Sequence, residues 1–250
     1  MVTPWTYALI SVFLVSFTSI IGVVSLPFKK ERLKDILIYF VSFSAGALFG
    51  DAFIHLLPEV TEKAGGLSLP VGLSVLCGIA ISFLIEKVVC WRHCHLPITE
   101  THVHRFVYMN LFGDSVHNFI DGLIIGATYL TSIPIGIATT VAIVLHEIPQ
   151  EIGDFAVLLH GGFTRRKAIF FNFLTALTAV LGTGTALFLG SIIKNLDLFL
   201  LPFAAGSFIY IAGSDLIPEL HKETETKKNM IQFVSFIAGI LIMFSLLSLE

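Results

Sequence analysis

Between Arg105 and Arg165 the chain carries five carboxylates and no Lys or Arg. Asp114, Asp121, Glu147, Glu151 and Asp154 all sit in hydrophobic stretches long enough to cross a bilayer. An acid at the centre of a membrane helix costs about 2.5–3.5 kcal/mol on insertion scales. Five acids without basic partners require another source of positive charge, either protons or metal cations. The neighbouring Asn110, His117, Asn118, His146 and Gln150 can ligate metals but carry no permanent positive charge. The pattern points to a cation site inside a membrane.

The composition agrees. The chain is 55% hydrophobic and 13% charged, against about 25% charge in a soluble domain. Apolar segments of about 20 residues recur along its whole length. Eight are expected, at 5–26, 34–58, 68–89, 106–130, 133–160, 168–193, 198–220 and 230–249. The fold class is therefore an all-α integral membrane protein, with segments 4 and 5 inside the bundle because both carry polar residues. Segment 1 has no basic region before it and no small-residue cleavage site, so it is expected to be a retained span. Three cysteines (Cys77, Cys90 and Cys94) are too few and too clustered for a disulfide framework.

Basic residues predict the orientation. With eight spans, the loops at 27–34, 87–105, 161–167 and 221–228 share one side and hold thirteen of the fifteen Lys and Arg; only Lys63 and Lys194 fall opposite. The positive-inside rule makes those loops cytoplasmic and both termini external.

Residues 43–60, FSAGALFGDAFIHLLPEV, align without gaps on residues 203–220, FAAGSFIYIAGSDLIPEL, with seven of eighteen positions identical. Segments 2 and 7 cross in opposite directions, so segments 1–3 and 6–8 form an inverted repeat around segments 4 and 5. Many secondary transporters are built this way, with the substrate site near the midplane.

Segments 4 and 5 carry the chemistry. Asn110, Asp114, His117/Asn118 and Asp121 follow one helical stripe. On segment 5, His146, Gln150 and Asp154 share one row, and Glu147, Glu151 and Asp154 an adjoining one. His117 and His146 each lie about 14 residues from the turn at Thr131-Ser132, hence about 21 Å down antiparallel helices. The two stripes meet at one depth. Pro149 removes a backbone hydrogen bond there and frees a carbonyl, which could kink the helix. Imidazole with carboxylate and amide oxygens suits Zn²⁺, Fe²⁺, Mn²⁺, Cd²⁺ or similar divalent metals better than Na⁺ or K⁺.

At these residues the chain resembles a known family. His117-Asn118-Phe119-Ile120-Asp121-Gly122 and the run from His146 to Phe155, HEIPQEIGDF, are similar to the HNFxDG and HExPHExGDF motifs of the ZIP (Zrt-, Irt-like protein) divalent metal transporters. The resemblance implies a zinc carrier with a binuclear centre. One metal would be held by His117, Asp121, His146 and Gln150, the second by Asn118, Asp121, Glu147 and Gln150, with Asn172 of segment 6 an added ligand. It also implies an elevator-like motion of helices 1, 4, 5 and 6 against a dimerising scaffold of helices 2, 3, 7 and 8, in a homodimer. Where the subfamily carries His, this chain has Gln150, a harder and weaker ligand. Glu151 and Asp154, with Asp114, are assigned to orienting ligands or relaying protons.

Further polar residues are candidates for the route: Asp51, His55 and Glu59 at the external mouth, and Asp215, Glu219 and His221 towards the cytoplasm. The loop residues His93, Cys94, His95, His102 and His104 could hold emerging metal through N and S ligands. The leading reading is a secondary carrier moving divalent metal into the cytoplasm, in the plasma membrane, with the lipid bilayer and a second copy as partners and no nucleic acid. No GxxxxGK[ST] is present, so nothing indicates direct ATP drive. The rival is a membrane-embedded metallohydrolase, since HEIPQ is one residue short of HExxH.

Overall fold

The computed structural model describes residues 3–21, 30–91, 100–160, 163–193 and 195–249. Side chains at 30–37, 88–91, 100–106, 109, 149, 156, 160, 215, 219 and 249 are outside that description. Every regular element among these residues is helical, as apolar surroundings require, because a helix satisfies its backbone polar groups within itself. Eight rods follow one another. We call them α1 (Pro4–Thr18), α2 (Lys30–Gly50, Asp51–Leu56 and Leu57–Ala64), α3 (Leu69–Trp91) and α4 (Glu100–Thr131), then α5 (Ile133–His160), α6 (Arg165–Ala176 and Thr178–Ile192), α7 (Asp197–Tyr210, Ile211–Leu216 and Ile217–Leu220) and α8 (Thr226–Leu246).

Local chemistry ends these rods. Gly65, at φ 72°, closes α2 as its N–H reaches Glu62 O and the N–H of Gly66 reaches Thr61 O. The Thr164 hydroxyl accepts the Lys167 N–H and starts α6. Between α4 and α5 only Ser132 intervenes, and its hydroxyl accepts the Ile135 N–H at 3.2 Å. This tight turn holds the two helices antiparallel. Pro149 does not interrupt α5, which runs as one helix from Ile133 to His160. Seven of the rods are long and apolar enough to span a membrane. In α4, Asp114, His117, Asn118 and Asp121 lower the hydropathy.

The repeat is visible in the backbone. In α2 the helix loosens to the wide five-residue spacing over Asp51–Leu56, and in α7 over Ile211–Leu216. The two segments stand 160 residues apart, the offset of the sequence repeat, and such wide turns tend to occur where function needs them. Helix pairing repeats as well. A Cβ at Gly46 of α2 would overlap the Phe236 carbonyl of α8, and one at Gly239 the Phe43 carbonyl. Correspondingly, Gly206 of α7 meets Val75 O of α3, and Gly78 meets Phe203 O. Backbone touches backbone at both crossings, the close approach that small residues permit between membrane helices. A third such crossing joins α4 and α6 through Gly122 and Gly182. Apolar side chains such as Phe188, Leu181, Phe233 and Leu241 point outwards.

Replacing Gly46 by Val should therefore cost at least the about 1–3 kcal/mol of overpacking, because the obstructing atom is backbone. Gly184 has nothing within 4 Å of its would-be Cβ, and Gly184→Val should leave stability unchanged. Thermal unfolding in detergent, run on both variants, checks the contrast.

Candidate metal centre

Because α4 and α5 leave the Ser132 turn antiparallel, His117 and His146 arrive at the same level. His117 Nε2 and His146 Nε2 lie 3.3 Å apart. Two carboxylate oxygens complete a compact group. His146 Nε2 is 3.1 Å from Asp121 Oδ2 and 3.5 Å from Glu147 Oε1, while His117 Nε2 is 3.7 Å and 3.3 Å from the same two atoms. All four atoms lie within 4.8 Å of one another. Those five distances bracket the about 3.3–3.4 Å edge of a tetrahedron drawn around an ion with bonds of about 2.0–2.1 Å. The group is desolvated: Asp121, His146 and Glu147 are buried, and the His117 side chain is 21% exposed.

The imidazoles are presented for ligation. His146 Nδ1 lies 3.2 Å from the Ala142 carbonyl, and the tautomer that donates there leaves Nε2 with a free lone pair. Metal-ligating histidines are oriented by such bonds. Around the quartet, amide groups hold the remaining acids. Asn118 Nδ2 donates to Asp114 Oδ1 at 2.8 Å, Asn110 Nδ2 to Asp154 Oδ1 at 2.8 Å, and Asn172 Nδ2 to Glu151 Oε2 at 2.5 Å. The opposite oxygens receive nothing. Asp114 Oδ2, Asn118 Oδ1, both Glu147 oxygens, Glu151 Oε1, Asp154 Oδ2 and Asn172 Oδ1 are buried without a hydrogen-bond donor. A buried acceptor left unpaired is costly, and a cation would satisfy several of these at once.

A cavity of about 390 Å³ leads away from His117 and His146 past Gln150, Asp114, Asn110 and Asp154. Its far wall is Ser82 and Glu86 of α3 and Ser207 and Tyr210 of α7. Its lining falls in the half of the bundle where α3 connects to α4. At the other end, towards Ser132, the helices close over a core containing Tyr129, Ile135, Ala142 and Ile143. Among the described residues, the cavity meets the quartet on the side away from Ser132.

Sequence reasoning placed His117, Asp121, His146 and Glu147 on two stripes, and the structure brings these four together. Glu147, which the family resemblance gives to a second metal, supplies the fourth atom of the quartet, while Gln150 lines the cavity beside it. Asn172 is buried against Glu151 and the Ser19 carbonyl. Asp51 and His55 lie in the wide turn of α2, away from the quartet: Thr139 Oγ1 donates to Asp51 Oδ2 at 2.9 Å, and His55 Nε2 is 2.9 Å from Met243 O. Glu59 pairs with Lys63 at 3.2 Å at the end of α2, and Lys63 also meets Asp197 at 3.0 Å. His221 is exposed just beyond α7. His93, Cys94 and His95 lie outside the described residues, as do the side chains of His102, His104, Asp215 and Glu219. The sequence reading missed the wall of the cavity. The Tyr210 hydroxyl donates to Glu86 Oε2, and Ser82 and Ser207 share a hydrogen bond at 2.9 Å. Their signal was a polar i, i+4 pair on α3 and an i, i+3 pair on α7.

The profile of the family described as ZIP Zinc transporter matches residues 2–105 and 95–247. The chain belongs to the ZIP zinc transporter family. It is 36% identical over 226 residues to "Zinc transporter ZIP13" of Pongo abelii, covering 85% of this chain and 66% of that protein. It is 31% identical over 313 residues to "Zinc transporter ZIP13 homolog" of Drosophila melanogaster, covering 96% and 88%. Similarity to "Zinc transporter zipt-7.2" of Caenorhabditis elegans is 28% over 299 residues, covering 96% and 65%. The chain therefore spans just under two thirds of the Pongo abelii and Caenorhabditis elegans proteins. The family is one of transporters rather than enzymes, which removes the metallohydrolase reading of HEIPQ.

A ligand bound only by the folded protein stabilises it by about 2.7 kcal/mol at a concentration one hundred times its Kd. Zinc should raise the melting temperature of the wild-type protein accordingly, and His146→Ala should lose most of that rise. Differential scanning fluorimetry with and without Zn²⁺ measures it.

Proposed function

We propose that this chain is a secondary carrier that moves divalent metal, chiefly Zn²⁺, across its membrane into the cytoplasm. The observation that carries this reading is the tetrahedral quartet at the closed end of a cavity that opens at one end of the bundle. A metal bound there is desolvated, held by two imidazoles and two carboxylates, and connected to one side only. By the distribution of Lys and Arg, the open side is the cytoplasmic one, which makes this the inward-facing state and puts both termini outside a plasma membrane.

Asn118 Oδ1, Glu147 Oε2 and Asn172 Oδ1 lack donors, which supports a second metal beside the first, with Glu147 common to both and Gln150 reaching in from the cavity. Asp114, Glu151 and Asp154 accompany the metal towards the exit. Alternating access is an elevator-like displacement of α1, α4, α5 and α6 against α2, α3, α7 and α8. Support comes from the crossings. The three backbone-to-backbone contacts, α4 with α6, α2 with α8 and α3 with α7, all fall inside one group or the other, so neither group can slide internally. The scaffold group forms the homodimer, and apolar side chains such as Leu73, Leu76 and Phe83 of α3 are outward-facing. Fe²⁺, Mn²⁺ and Cd²⁺ fit the same donor set less selectively.

Purified protein in liposomes should take up Zn²⁺, and His117→Ala and His146→Ala should each abolish uptake while the protein remains folded. Metal ligands must be deprotonated, so binding should weaken as pH falls and should release protons. Isothermal titration in buffers of different ionisation enthalpy gives the proton count, and a count of zero between about pH 5.5 and 7.5 would exclude this competition.

Imidazole is a softer ligand than a carbonyl oxygen, and zinc favours nitrogen more than manganese does. Gln150→His should therefore tighten Zn²⁺ binding and raise the Zn²⁺/Mn²⁺ preference, with an unchanged or lower maximal rate because a tighter site releases its ion more slowly. Competition uptake with paired metals decides it. An unmoved preference would take Gln150 out of the ligand set.

A further inference from the structure

The inverted repeat equates positions across the two halves, and the polar residues that close the outer end have apolar counterparts at the inner end. At the closed end, Thr139 Oγ1 of α5 donates to the buried Asp51 Oδ2 of α2 at 2.9 Å. One turn-pair away, Ser44 Oγ of α2 donates to the Leu145 carbonyl of α5 at 2.6 Å. Both bonds join a scaffold helix to a transport helix, so both must break when the outer end opens.

The 160-residue offset maps Ser44 to Ala204 and Asp51 to Ile211, both on α7. On the other helix pair, His117-Asn118-x-x-Asp121 maps onto His146-Glu147-x-x-Gln150 at an offset of 29, which equates Thr139 with Asn110. The mate of the Asp51–Thr139 bond is thus Ile211 with Asn110. Those two residues both line the open cavity, where the partners of an opened gate should be. α7 packs on α4 as α2 packs on α5, so closing the inner end brings Ile211 towards Asn110. An isoleucine and an alanine side chain cannot supply the hydrogen bonds that Asp51 and Ser44 supply opposite.

We propose that Asp51, Thr139 and Ser44 form a latch on the outer gate whose inner counterpart is missing, and that this asymmetry makes the inward-facing state the resting state of the carrier. It rests on the alternating-access reading above. Asp51 and Thr139 are positioning residues here: they set the ratio of two states and touch no metal. A fast return to the inward state follows metal release, and the free energy of metal binding from outside has to open the latch. Losing a hydrogen bond to a buried carboxylate should move the inward-to-outward ratio about tenfold, equivalent to about 1.4 kcal/mol.

The test uses two thiol probes in protein from which Cys77, Cys90 and Cys94 have been replaced by Ser, reconstituted in nanodiscs. Ser82→Cys lies on the wall of the open cavity at a half-buried position. Ala47, the mate of the cavity-lining Ser207 at the 160-residue offset, is fully buried, so Ala47→Cys should react with a charged maleimide only when the outer end opens. Thr139→Val and Ser44→Ala should each raise the Ala47→Cys reaction rate, the first about tenfold. Ile211→Asp should raise it similarly by giving Asn110 a carboxylate to meet at the inner gate, and Ile211→Ala should not. Adding Asn110→Ala to Ile211→Asp should cancel the gain. Continued reaction at Ser82→Cys in every variant shows that the protein is folded and still reaches the inward state. The latch is refuted if Thr139→Val leaves the Ala47→Cys rate unchanged, or if Ile211→Asp does no more than Ile211→Ala. If Ala47→Cys never reacts in any variant or with Zn²⁺ present, alternating access itself fails, a different result from failure of the latch.

Discussion

Two imidazole nitrogens and two carboxylate oxygens held within a few ångströms of one another, away from water, are the constraint around which this molecule is arranged. Without a cation the two carboxylates repel, and several oxygens around them have no donor. Among the described residues, the ion pairs at the site run to His117 and His146 and to no Lys or Arg. A permanent cation would hold the acids and exclude the metal. Neutral imidazoles and amides orient the acids without competing for their charge, so the site is poised to exchange ions rather than to store one.

That requirement propagates outwards. A site of this polarity needs the interior of a bundle, so α4 and α5 are enclosed by helices whose outward faces are Phe and Leu. Enclosure without a driving force from water requires close helix contact, and the paired glycines provide it. Because those contacts recur at the same offset in both halves, the bundle is two near-copies of one packing arrangement around the central pair. Near-copies permit two states of comparable stability. Small departures from symmetry, such as Asp51 in one half where the other has Ile211, are where the latch proposed above would bias the two states.

Hydropathy located the eight rods, since a bilayer imposes length and apolar composition segment by segment; 133–160 coincides with α5, whereas 106–130 falls short of the start of α4 at Glu100 and 34–58 of the end of α2 at Ala64. Residue spacing also located the stripes, because 3.6 residues per turn is a local property. Pro149 lies inside α5. It removes one backbone hydrogen bond, yet the helix continues through it from Ile133 to His160. The glycine crossings carried no usable signal. Gly46 and Gly184 look alike in sequence, and only the position of Phe236 distinguishes a crowded glycine from an open one.

The sequence by itself determined that the chain crosses a membrane, that its centre gathers acids with no basic residue among them in sequence, and that its halves repeat. Each of these follows from a local property: apolar length, uncompensated charge, or self-similarity. Tertiary structure alone decided which donor atoms share a point in space. It brought Glu147 together with His117, Asp121 and His146 and set Gln150 on the wall of the adjoining cavity, because the rotation of α5 against α4 is set by packing and not by spacing. It also decided which end is open. The sequence contains both gates, but only the packed bundle shows Thr139 bonded to Asp51 while Asn110 and Ile211 face a cavity. A state of a carrier is a relation between helices, and no local pattern encodes it.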